Sequence, residues 1–138
     1  MSKIKVFIKN YLYKISLSIL DLNFKNLNKA AKQILSTIQN NNNIFVCGNG
    51  GSAAIANHYV VDFLKFFKEN SNYKPKITSL SNSIETITAI SNDLNYDKIF
   101  SYQAENLCNK NDLIIIISSS GNSKNIVELV KFAKRKKI

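Results

Sequence analysis

The chain has 138 residues, 45% of them hydrophobic and 20% charged, which is the length of one ordinary domain with enough apolar material for a core and excludes disorder as the main state. No run of 18 or more apolar residues occurs, so no helix is expected to span a membrane. The formal charge of +10 is unevenly spread: residues 1–40 sum to +6, residues 41–130 to −1 and residues 131–138 to +5. Eighteen of the 19 basic residues are Lys, and Asn occurs 20 times. Both rise with an A- and T-rich genome, so Lys abundance says little about partners, and nucleic-acid binding through the basic termini is the least supported reading.

The start, Met1 to Lys5, lacks an apolar stretch followed by a cleavage site, which points away from secretion and towards the cytoplasm. Cys47 and Cys108 have no metal-type spacing and are expected as reduced thiols. In residues 3–20, Ile4, Ile8, Leu12, Ile15 and Ile19 recur at helical spacing, and Leu22 to Ile38 continue the pattern after Asp21. This predicts two amphipathic helices, or one bent near residues 21–23, as an N-terminal arm over residues 1–40. The four-Asn turn Asn40 to Asn43 leads into a short apolar strand, Ile44 to Cys47, and then directly into Gly48-Asn-Gly-Gly-Ser52.

From Ser52, read as the N-cap, a helix is expected to about Glu69. It is apolar apart from a narrow stripe at His58, Asp62, Lys65 and Glu69, a pattern that predicts cover on more than one side. Lys76 to Leu80 reads as a second strand. Asn82 with Glu85 reads as a capping box before a helix over 84–91, and a further helix fits Tyr96 to Cys108. Leu113 to Ile117, with no alternation, reads as a strand buried on both faces, and Ser118-Ser-Ser-Gly-Asn-Ser123 opens a last helix. Strands separated by helices predict an open, doubly wound parallel α/β sheet over residues 41–138. The Leu113–Ile117 strand is then either an edge covered by something else, or the chain is short of its natural end.

Open α/β sheets bind ligands at the carboxyl ends of their strands, where loops meet helix N-termini. Two loops occupy such ends. Asn49, Gly50, Gly51 and Ser52 allow close approach to the backbone, and Ser118, Ser119, Ser120 and Ser123 bring four hydroxyls to a helix N-terminus. A phosphate suits both. Neither is a nucleotide motif, since there is no P-loop ending and no complete G-x-G-x-x-G. His58 and Asp62, four apart on one helix face, suit an acid/base pair or two metal ligands; the alternative is a solvated stripe in which Asp62 pairs with Lys65. Asn92 and Asp93 are a helix end by default and site candidates by their neighbours. Tyr96, Tyr102 and the Phe cluster read as core or interface.

Cys47-Gly-Asn-Gly-Gly-Ser-Ala-Ala with His58, then Ile87 to Asp93, then Ile117-Ser-Ser-Ser-Gly-Asn-Ser123 resembles the sugar isomerase (SIS) domain, in its phosphoheptose isomerase branch. The resemblance implies a flavodoxin-like fold, a helical arm that helps build a homotetramer, and a phosphorylated sugar of the sedoheptulose 7-phosphate class as substrate. By the same resemblance Ser52, Ser118, Ser119, Ser120 and Ser123 would hold the phosphate. Asn49, Gly50 and Gly51 would line the sugar, with Asn92 and Asp93 on its hydroxyls.

The reaction implied is an aldose–ketose proton shuttle through an enediol. In the family the base is a Glu one turn after the matched His, and here Asp62 stands in that position with His58 beside it. Some members complete a zinc site with a Gln and a His from a C-terminal segment that residues 1–138 do not contain. With His58 and Asp62 alone, zinc is not expected. The second reading is a sugar-phosphate-binding protein without catalysis, like a related adaptor for the bacterial replication initiator.

Overall fold

The computed structural model describes residues 2–138. In chain order the elements are α1 (Lys3–Leu20), α2 (Phe24–Gln39), β1 (Asn43–Gly48), α3 (Gly51–Asn70), β2 (Lys76–Ser79), α4 (Ile84–Asp93), a 3-10 turn (Tyr96–Lys98), α5 (Ile99–Leu107), β3 (Leu113–Ile117) and α6 (Lys124–Lys136). The chain divides into two compact units, residues 1–33 and 34–138.

The first unit holds α1 and the opening turns of α2. Two separate helices form because each has its own start. Ser2 caps α1 by accepting the Lys5 N–H at 3.3 Å, and Asn23 Oδ1 accepts the Asn26 N–H at 3.0 Å to begin α2. No residue of α1 is buried; Ile4, Phe7, Leu12 and Ile19 are all more than half exposed.

The second unit is a three-stranded parallel sheet in the order β2-β1-β3, with helices on both faces, as a doubly wound sheet requires. The period of two along β1 separates its side chains. Phe45 and Cys47 face a core completed by Leu80, Ile90, Ile99, Phe100, Ala104 and the α6 stripe Ile126, Leu129 and Phe132. Ile44 and Val46 face the other way, onto Ile38 of α2 and Ala56 of α3, with Tyr59, Val60, Phe63 and Phe67 packed around them. At the amino ends of the strands the buried Asp112 carboxylate accepts the backbone N–H of Asn43 at 2.7 Å and that of Asn109 at 2.8 Å, pinning β1 to β3.

Several sequence expectations are corrected. The cap of α3 is Gly50, at φ +53 and ψ −121, and not Ser52: the glycine's positive-φ turn lets the helix begin at once, with the Ser52 N–H already bonded to Asn49 O at 2.9 Å. The cap of α4 is Ser83, whose Oγ accepts the Thr86 N–H at 3.1 Å, and not Asn82. The helix expected from Tyr96 begins as the 3-10 turn before α5. One face of α3 packs on the sheet through Ala56, Tyr59, Val60, Phe63 and Phe67, and the expected cover on a further side is not supplied by residues 34–138. Ile55, Val61, Leu64 and Phe66 stay exposed.

Among the described residues the Leu113–Ile117 strand is the last on its side of the sheet. Its side chains are apolar on both faces because Ile114 and Ile116 meet one core and Leu113, Ile115 and Ile117 the other. Its outer lateral side has no strand partner among the described residues. Unalternating sequence therefore reports cover on two faces and is silent about lateral pairing.

Candidate functional site

The site follows from the register of β1 on β3. Gly48 stands opposite Ile117, so the Gly-rich and Ser-rich loops leave neighbouring strand ends side by side and run into the N-termini of α3 and α6. The fit is tight. A Cβ on Gly48 would lie 2.7 Å from Ser52 Cβ and 2.8 Å from the Ile117 carbonyl oxygen. The strand end is also held from the β2 side: Ser81 Oγ donates to Gly48 O at 2.9 Å and accepts the Gly48 N–H at 3.1 Å.

Asn49, half-buried, is the hub. Its Nδ2 donates to Asn125 Oδ1 at 2.9 Å, while its Oδ1 accepts from Asn125 Nδ2 at 2.8 Å and from Tyr96 Oη at 3.1 Å. Gly50 turns the chain, and Gly51 and Ser52 open α3. In the second loop Ser118 Oγ accepts the Gly121 N–H at 3.0 Å, Gly121 itself sitting at φ +65, and Ser120 Oγ accepts the Asn122 N–H at 3.3 Å. Ser119 and Ser120 are exposed. Ser123 is the N-cap of α6, but its Oγ makes no capping bond. The arrangement offers hydroxyls and a helix N-terminus, with its positive end, to an anion.

His58 Nε2 lies 3.3 Å from Asp62 Oδ2 on the outer side of α3, with the two side chains 75% and 64% exposed. The partner of Asp62 is thus His58 at i−4 and not Lys65. Asn92 and Asp93 sit in the last turn of α4, where Asn92 Nδ2 donates to Asp93 Oδ1 at 3.1 Å. Asp93 lines a groove among α4, α5 and α6 with Lys98, Glu128, Lys131 and Arg135, which none of the loop residues borders. The loops are therefore brought together with one another, whereas the Asn92 side chain bonds that of Asp93 at the end of α4.

Sequence reasoning missed Gly48, Ser81, Tyr96 and Asn125. For Asn125 a signal exists: an Asn in the first turn of a helix, among apolar residues, has a side chain suited to bonding its own helix terminus. Tyr96, half exposed and so outside the core, donates its hydroxyl to Asn49. Behind the strands, burial pushes the Cys47 thiol up to about 12, with Cys108 adding to it, and burial pushes Cys108 up to about 12, with Asp112 adding to it. On the groove, hydrogen bonds from Lys131 and Lys98 hold the Glu128 carboxyl below its usual range.

Zinc needs three or four protein donors. His58 and Asp62 are two, and no group of three His, Cys, Asp or Glu residues suited to a metal occurs among the described residues. This donor set does not fit the ion. Among the described residues no helix is long and apolar enough to cross a membrane.

Comparison with known proteins identifies the family. The profile of a family described as "SIS domain" matches residues 9–138. A phosphoheptose isomerase of Aliarcobacter butzleri is 43% identical over 108 residues, 78% of this chain and 57% of the relative. A probable phosphoheptose isomerase of Thermoplasma acidophilum is 41% identical over 127 residues, 92% of this chain and 69% of the relative. The chain therefore spans roughly three-fifths of the length of such relatives. Among solved structures, phosphoheptose isomerase from Neisseria gonorrhoeae superposes with a TM-score of 0.84 at 29% identity, covering 98% of this chain and 69% of that one. The enzyme from Francisella tularensis superposes with 0.85 at 28%, covering 99% and 72%.

Proposed function

The chain belongs to the SIS domain family, and from that membership we propose that it acts on a phosphorylated sugar as a phosphoheptose isomerase, interconverting sedoheptulose 7-phosphate and the corresponding heptose 7-phosphate. The observation that carries the reading is the side-by-side pair of loops at Gly48 and Ile117. It supports phosphate on Ser52, Ser118, Ser119, Ser120 and Ser123 with the sugar along Asn49, Gly50 and Gly51. Asn92 and Asp93, at the end of α4 by the separate groove of α4, α5 and α6, take no part in this reading. The relatives compared above carry the isomerase name, which favours turnover over a purely adaptor role.

In the proposed reaction Asp62 takes the proton from C1 of the ketose while the C2 carbonyl oxygen gains one, giving the enediol. The proton is then returned at C2 as the C1 hydroxyl loses its own, leaving the aldehyde. No atom is gained or lost and no oxidant is needed. His58, 3.3 Å from Asp62, orients the carboxylate. No step passes through a metal.

A base this open to water works poorly until water is excluded. We therefore propose that the working form is a homo-oligomer, with a tetramer as the family's example, whose copies cover α3. Its exposed Ile55, Val61, Leu64 and Phe66 support this. A cytoplasmic location is supported by two unpaired thiols.

The test is calorimetric titration with sedoheptulose 7-phosphate beside an isomerisation assay. Binding is expected in the wild type, with turnover abolished and binding retained in Asp62→Asn. Absence of binding by the wild type overturns the proposal. Asp62→Glu restores the reach implied by the family and should raise kcat by about 10- to 100-fold, since a misplacement of about 1 Å is worth up to that factor.

A further inference from the structure

Asn125 is the second residue of α6 and is 1% exposed. Its amide is committed on both ends: Oδ1 accepts the Ile126 N–H at 2.9 Å and Asn49 Nδ2 at 2.9 Å, and Nδ2 donates to Asn49 Oδ1 at 2.8 Å. A backbone N–H can only donate, so Ile126 decides which end of the Asn125 amide is oxygen. The reciprocal pair then decides the orientation of Asn49. Tyr96 adds to this, because its hydroxyl must be the donor to Asn49 Oδ1, which carries no hydrogen.

With two donors on Oδ1, both lone pairs of Asn49 are filled, and one of its two Nδ2 hydrogens is spent on Asn125. We infer that Asn125 and Tyr96 are positioning residues that lock the Asn49 amide, so that it meets a ligand as a single N–H donor and never as an acceptor. This rests on the reading of Asn49 as part of the sugar-phosphate site. A carbonyl, hydroxyl or phosphate oxygen satisfies such a donor. A flipped amide would set its own oxygen against the ligand's oxygen, so the lock replaces a repulsion with a bond before the ligand arrives.

Asn125→Asp tests it with little change of shape. A carboxylate still accepts from Ile126 and Asn49 but no longer donates to Asn49 Oδ1. The readouts are the Asn49 side-chain amide resonances of the isotope-labelled full chain, without ligand, and calorimetric binding of sedoheptulose 7-phosphate. In the wild type the two amide hydrogens are expected to be resolved, one of them protected from exchange. In Asn125→Asp they should shift and lose protection, with binding weakened about tenfold. A merely structural role would lower the folded fraction and leave both readouts of the folded protein as they were, which overturns the proposal. Should the buried substitution unfold the chain, Tyr96→Phe on the half-exposed turn decides instead: shifted Asn49 resonances and binding weakened about threefold support the lock, and no change in either overturns it. If the wild type binds no sugar phosphate, the functional reading fails at that step, while the resonances still show whether Asn49 is locked.

Discussion

Gly48 and Gly50 lie two residues apart and are kept as glycine by different forces. At Gly48 the obstacle is space, since an added Cβ would press on Ser52 Cβ at 2.7 Å and the Ile117 carbonyl at 2.8 Å. At Gly50 nothing lies within 4 Å and the obstacle is the backbone at φ +53. Gly48→Ala should therefore separate the two loops as well as destabilise the fold, by about 1–3 kcal/mol for overpacking in a well-packed region. Gly50→Ala should cost about 1–3 kcal/mol for holding a side chain in a sparsely populated backbone region, and leave the core untouched. Urea unfolding gives both values, and equal spectra of the native states would contradict the difference in reach.

The thiols make a second residue-scale prediction. Cys47 is raised from its ordinary 9.0 to about 12, so between those values the folded state holds a proton that the unfolded state has released. Stability is then full below about pH 9 and falls as pH rises towards 12. Burial of Tyr59, which also raises its hydroxyl, acts in the same direction. The denaturation midpoint should fall above pH 9, less steeply in Cys47→Ala. At pH 8 a thiol reagent should label native Cys47 far more slowly than the unfolded chain.

At the scale of elements, most of the fold is legible in the sequence because each helix and strand carries one dominant period. Ile126, Leu129 and Phe132 repeat at helical spacing and do face the core. What is not legible is anything that depends on a neighbour in space. The lateral edge of β3, the bare outer face of α3, and the Asn49–Asn125 pair across 76 residues are set by which elements happen to be adjacent. The site loops are readable because Gly and Ser clusters after strands have a local cause; the residues that hold them in place are not. For α6 the contrast is testable. Leu129 is fully buried, and Leu129→Ala should cost about 2–5 kcal/mol, the range for emptying a core position. Val130, one residue on and only half-buried, should cost much less when cut to Ala; equal losses in chemical denaturation would mean that α6 packs by another face.

For the whole molecule, the two units differ in kind. Both core clusters lie within residues 34–138, while α1 in the other unit buries nothing. An 18-residue helix with Ile4, Phe7, Leu12 and Ile19 in water is marginal without cover. Residues 34–138 alone should therefore unfold cooperatively, as followed by circular dichroism, and the full chain should sediment at a higher multiple of its own mass than this fragment does. Equal multiples would rule out the arm as an oligomerisation element. Salt then separates this role from the nucleic-acid reading of the same Lys residues. Were copies to meet through the arm, its charge of +6 would set them against one another, and screening over about 8–10 Å at 0.1–0.15 M ionic strength would relieve that repulsion. Association should tighten as salt rises from 50 to 300 mM, whereas binding to DNA phosphates would weaken steeply over the same range.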